Sequence, residues 1–144
     1  MIIRQLSIFI ENRKGTLVDV LQVLKDAHIQ IVASTIADTV EYGIYRMICT
    51  EPLRAYQALK DQGIAVNLSE VFAIELDNVP GRAAEAVRII SEAGIAIAYL
   101  YSFLIHEKGI LIFRTDDVDK TRQVITDHHL HYIAEEALGE IGEN

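Results

Sequence analysis

Asn12-Arg13-Lys14-Gly15 and Asn78-Val79-Pro80-Gly81 share the pattern Asn-x-x-Gly, displaced by 66 positions. The same displacement carries Ala27 to Ala93, Ile29 to Ile95, Ile31 to Ile97, Gly43 to Gly109, Gln57 to Gln123 and Asp61 to Asp127, without a gap. Sparse identity in one constant register is the mark of a duplicated unit, and a repeat decides architecture before any single element does.

Outward from the first turn, Ile2 to Ile10 is rich in β-branched residues and reads as a strand. Leu17, Val20, Leu21, Leu24 and Ala27 beyond it fall at helical spacing. Ile29 to Ala37 and Ile44 to Thr50 read as two strands joined by a hairpin. A second helix starts at Glu51-Pro52, where a proline's missing N–H is harmless, with Leu53, Tyr56 and Leu59 as its buried stripe. Gly63 stops it, and Ile64 to Leu68 is a fourth strand.

The second copy repeats the order. Strands are expected near Val71–Leu76, Ile95–Leu104, Ile110–Thr115 and Tyr132–Glu136, and helices near Arg82–Ala93 and Val118–His128. The order βαββαβ, with right-handed crossovers, predicts a ferredoxin-like α+β sandwich: a four-stranded antiparallel sheet with both helices on one face. Two such domains are expected, at 1–68 and 69–144, joined by almost no spacer (Leu68-Ser69-Glu70). Tyr99, Tyr101 and Phe103 share one face of their strand and Leu100 and Leu104 the other, so this strand is expected to be covered on both sides.

The composition agrees with two packed domains. The chain has 144 residues, enough for two minimal domains of about 70. Hydrophobic residues make up 51% and charged residues 24%, sufficient to order the chain. The formal net charge is −8, which disfavours nucleic acid and anionic lipid as partners. No apolar run approaches the ~18 residues that cross a bilayer. Met1-Ile2-Ile3-Arg4-Gln5-Leu6 is no secretory leader, and Cys49 is the only cysteine. These features point to a soluble cytoplasmic protein.

Chemistry concentrates in the turn between the first strand and first helix of each copy. Glycine permits a tight bend and a close backbone approach to a ligand. The first N–H groups of the following helix lack intrahelical partners and lie at the positive end of its dipole, so they attract a carboxylate or phosphate. Asn12 or Asn78 adds an amide that both donates and accepts, suited to a zwitterion. The same pattern also serves as an ordinary turn and N-terminal cap. Its occurrence at equivalent points of both copies favours the ligand reading.

At this point the sequence resembles the ACT domain family, βαββαβ regulatory modules that bind amino acids between two such domains. The resemblance rests on Glu75-Leu76-Asp77 leading into Asn78-Val79-Pro80-Gly81, on the helix from Arg82, and on Ala93-Gly94-Ile95. Glu11 to Gly15 and Ala27-His28-Ile29 match in the first copy, with Lys14 where the family has Pro and His28 where Gly is common. The resemblance implies ligand contacts from Asn12, Gly15, Thr16, Leu17, Ile29 and Ile31 in one copy. In the other it implies Asn78, Pro80, Gly81, Arg82, Ala83, Ile95 and Ala96. It further implies a non-enzymatic allosteric regulator without cofactor, which binds a free amino acid at the domain interface. Because each copy alone buries little surface, a homodimer is expected, with a regulated enzyme or transcription regulator as its partner.

Two other classes compete. One is a ligand-independent structural or assembly subunit, motivated by Lys14 and His28. The other is a small acylphosphatase-like hydrolase using Arg13. Asp127-His128-His129-x-His131 spans a helix end and a strand start, so no metal site is expected there.

Overall fold

The computed structural model describes residues 1–11, 15–38 and 42–142. Two compact units divide the chain. One holds Arg4–Ser69 and the segment from Glu136 on, and the other holds Glu70–Glu135 and Met1–Ile3.

The first unit contains β1 (Ile2–Glu11), α1 (Thr16–Asp26), β2 (Ile31–Asp38), β3 (Tyr42–Cys49) and α2 (Pro52–Asp61). Next, β4 (Val66–Asp77) runs from this unit into the other. The second unit continues with α3 (Arg82–Glu92), β5 (Ile97–Ile105), β6 (Lys108–Thr115) and α4 (Val118–Asp127), and α5 (Glu135–Gly142) ends the chain. The α+β class and the tandem order are those read from the sequence.

Strand order within the first unit is β2-β3-β1, all antiparallel, with Ile36 and Ile8 both opposite Tyr45. The Phe9 N–H adds a bond to the Ala65 carbonyl at 3.0 Å. Alternation along β1 and β3 places Leu6, Ile8, Tyr45, Met47 and Cys49 on one face. There they pack with Val20 and Leu24 of α1 and Ala55 and Leu59 of α2. Leu53, expected in the buried stripe of α2, is 54% exposed, and Pro52 and Ala55 are buried instead. The helix is rotated to seat its first turn on the sheet.

The second unit orders its strands β5-β6-β4, with Ile74 opposite Leu111 and Phe72 opposite Phe113. These four side chains join Ile90 of α3 and Val124 and Ile125 of α4, and the two phenyl rings stack at 5.7 Å. The strand expected at Tyr132–Glu136 is reduced to a bridge between Ile74 and Tyr132, because α5 already begins at Glu135. The strands expected at Ile64–Leu68 and Val71–Leu76 prove to be one strand of 12 residues, β4. Two-sided burial falls on β4 and β6, where Val71, Ala73, Ile110 and Ile112 are also buried. It does not fall on β5, whose Leu100 and Leu104 are 45% and 63% exposed on the helix-bearing face.

Each of α1, α2, α3 and α4 ends in the same way. A left-handed residue follows the cap, at His28, Gly63, Gly94 and His129. The next residue but one after the cap returns its N–H to the helix: Ile29 to Leu24, Ile64 to Leu59, Ile95 to Ile90 and Leu130 to Ile125. This is the Schellman closure, which buries an apolar residue against the last turn. It explains why β2 and β5 start at Ile31 and Ile97, two residues later than the apolar pattern suggested. A cation covers the carbonyl end of α1, where Arg54 bonds the Ala27 carbonyl and pairs with Glu51. Its repeat equivalent, Lys120, places Nζ 3.4 Å from where a Cβ on Gly94 would stand.

The αL conformation costs an L-residue about 1–2 kcal/mol, part of which glycine returns as unfolded-state entropy. His28→Gly and His129→Gly are each expected to stabilise the chain by about 0.5–1 kcal/mol, read as a higher denaturant midpoint. Asp117, whose carboxylate accepts the Lys120 N–H at 3.0 Å, supplies the opposite test. Asp117→Ala should lower the midpoint by about 1 kcal/mol.

Candidate functional site

Gly15 and Gly81 occupy the same place in the two copies, each the N-cap of a helix with φ of 90°. Among the described residues, nothing stands within 4 Å of a Cβ built on either, and their left-handed conformation is what favours glycine. No side chain among the described residues caps α1 or α3. By contrast, α4 is closed by Asp117. The N–H groups at the second and third positions of α1 (Leu17, Val18) and α3 (Ala83, Ala84) therefore face the turn without a side-chain acceptor among the described residues. The positive end of each helix dipole adds to their pull on an anion.

A recess adjoins each turn. In the first unit a cavity of 340 Å³ lies between the end of β1, the first turn of α1 and the segment Gly63-Ile64-Ala65. Glu11, Thr16 and Asp19 line it, and Phe9 and Tyr42 meet at its edge with ring centroids 6.2 Å apart. Thr16 is fixed by a 2.8 Å hydrogen bond from its Oγ1 to the Glu11 carbonyl. In the second unit a cavity of 270 Å³ lies between α3 and the β5–β6 hairpin. Asn78, Val79, Arg82 and Ala83 form one wall, and Leu76, Ser102, Leu104 and Leu111 form the other.

The charges around this second recess are paired. Lys108 donates to Asp77 at 2.7 Å, and Arg82 meets Glu85 at 3.1 Å. The hydrogen bond from Lys108, reinforced by its charge, holds the Asp77 carboxyl below its ordinary 3.8. The same bond raises Lys108 above its ordinary 10.5.

The residues named from sequence divide into three groups. Thr16 lines the first recess, and Asn78, Arg82 and Ala83 line the second. Gly15 and Gly81 shape the turns, and Pro80 lies exposed within the second. Of the remainder, those described line neither recess. Leu17 packs on the first core, and Ile31 pairs with Cys49. Ile29 and Ile95 are buried, with their N–H groups committed to the helix closures. Ala96 gives its N–H to the Asp116 carboxylate at 3.0 Å. Asn12, with Arg13 and Lys14, lies outside the described residues.

Sequence reasoning missed Phe9, Glu11, Asp19 and Tyr42 in the first recess and Ser102, Phe103, Leu104 and Leu111 in the second. In the second recess the opposite wall lies far along the chain, and only strand register brings it to the turn. Among the described residues, no group of His, Cys, Asp and Glu is arranged to hold a metal ion. His131 instead faces Glu75 at 3.9 Å, and His128 Nδ1 lies 3.1 Å from the Val124 carbonyl. No described helix is long and apolar enough to cross a membrane.

Comparison with known proteins agrees with this geometry. A family model described as an ACT domain pair matches residues 1–142. The crystal structure of protein BT0572 from Bacteroides thetaiotaomicron is 37% identical, covers 96% of both chains and superposes with a TM-score of 0.92. The ligand-free regulatory subunit of aspartate kinase from Thermus thermophilus is 13% identical. It covers 88% of this chain and 90% of its own, with a TM-score of 0.65, and so shares the fold. No curated protein matches the chain.

Since the Lys108 hydrogen bond depresses Asp77, the pair is intact above the ordinary carboxylate range and is lost as pH falls through the lowered value. At the alkaline end it is lost as pH rises through the raised lysine value. In an NMR titration the Asp77 carboxyl should titrate below 3.8, and in Lys108→Met it should move back toward 3.8.

Proposed function

The chain belongs to the ACT domain family as a pair of such domains, and on that premise we propose that it is a non-catalytic regulatory protein that binds a free amino acid. The observation that carries this reading is the pair of helices, α1 and α3, that begin on a left-handed glycine beside a recess, with no side-chain cap among the described residues. A carboxylate placed there accepts from the N–H groups of Leu17 and Val18, or of Ala83 and Ala84. The ammonium group of the same ligand is met by carbonyls of the turn and by the Asn78 amide. A facing ACT domain closes the site. The likeness in fold to a regulatory subunit of aspartate kinase supports a role in controlling another protein.

Binding regulates only if the ligand prefers one arrangement of the assembly over another. We place that assembly at the β5 edge, which pairs with a second copy of the chain. Ile97–Ile105 carries no charge to block strand addition, and Leu100 and Leu104 stand exposed along it. The homodimer then presents its bound state to an enzyme or transcription regulator in the cytoplasm.

Thermal unfolding with each common amino acid at millimolar concentration tests the binding. A ligand at 100 times its Kd adds about 2.7 kcal/mol to folded-state stability. One amino acid or a related few should raise the melting temperature, and Asn78→Ala or Gly81→Val should remove the shift if the second turn is the site. A flat response to every amino acid would leave the ligand-independent assembly subunit as the better account. For the dimer, Leu104→Lys should move the sedimentation coefficient toward that of the monomer.

A further inference from the structure

We infer that the second recess is the working site, that Ala83 keeps it open, and that it takes an amino acid with an uncharged apolar side chain. This rests on the amino-acid-binding reading above and goes further in naming the copy, the gate and the ligand class.

The gate follows from the repeat. Position 83 is equivalent to position 17, and the two helices start from identical left-handed glycines. Leu17 turns into the first unit and packs on its core cluster. Ala83 stays exposed and forms one wall of the 270 Å³ recess. Opposite positions diverge in the same direction. Tyr45 fills the first unit where Leu111 stands in the second, and its hydroxyl donates to Ser34 Oγ at 3.1 Å. At these two positions the first copy carries more bulk than the second.

Ligand class follows from the lining. Leu76, Val79, Leu104 and Leu111 offer hydrocarbon, while Ser102 is the one hydroxyl. The charged groups at the rim, Asp77 with Lys108 and Arg82 with Glu85, already neutralise one another. An acidic or basic ligand side chain would enter without a free counter-charge, which opposes its binding. An aliphatic or aromatic side chain gains from every methylene it buries, roughly fourfold in affinity for each. The volume matches a single amino acid and falls below the roughly 300–1,000 Å³ of sites for larger ligands.

Isothermal titration of the intact chain with L-leucine, L-valine, L-phenylalanine, L-lysine, L-aspartate and L-serine decides the matter. Expected is binding of at least one of the first three, at least about tenfold tighter than any of the last three. Ala83→Leu should abolish that binding while melting as a folded protein, since leucine already sits at the equivalent helix position in the first copy. Ser102→Asp should admit L-lysine. Preferred binding of lysine, aspartate or serine would overturn the ligand class while leaving the amino-acid reading intact. Wild-type affinity in a folded Ala83→Leu would overturn the gate. Silence from all six amino acids would overturn this inference, and the wider thermal panel would then decide the underlying reading on its own.

Discussion

The left-handed residue at a helix boundary is the constraint on which this molecule depends. Before α1 and α3 it is glycine with φ of 90°, and after α1 to α4 it is His28, Gly63, Gly94 or His129. At the carboxyl end it lets the chain turn back and drive Ile29, Ile64, Ile95 or Leu130 toward the core, fixing where the next strand begins. At the amino end it swings the preceding strand clear of the helix axis and leaves the first amides uncovered. Packing at one end and recognition at the other follow from a single backbone conformation.

The duplicated copies reach these positions by different routes. Glycine follows the first helix of the second copy and the second helix of the first, with histidine in the two exchanged places. Equivalent backbone geometry is thus retained through substitutions that hide it in the sequence. A reader looking for helix-stopping glycines finds Gly63 and Gly94 and misses the other two. That is why the repeat, read through turns and apolar spacing together, was a better guide to architecture than any local signal.

Legibility followed the range of the interactions involved. The helices, the order of elements and the shaping glycines rest on spacing within a few residues, and they were readable. Leu53 was assigned to a buried stripe because its spacing permits it, whereas the structure chose Pro52 and Ala55 by rotating α2 over the sheet. The burial and helix closures of Ile29 and Ile95, named as ligand contacts by family likeness, depend on the path of the chain after the cap. Ser102, Leu104 and Leu111 reach the second recess through the pairing of β5 with β6, a register no local pattern specifies. At the level of the recess the informative signal was a difference between repeats, Leu17 against Ala83, and not a similarity.

The unbroken β4 has an evolutionary consequence. Single-copy regulatory modules travel between proteins because a flexible connector can be cut without damage to either side. Here the boundary between Ser69 and Glu70 falls inside a hydrogen-bonded strand, and Met1–Ile3 belongs with the later half of the chain. A recombination point there would sever a structural element and strip a terminus from the other half. Exchange of either half alone is therefore disfavoured, and divergence in chemistry is expected within the pair.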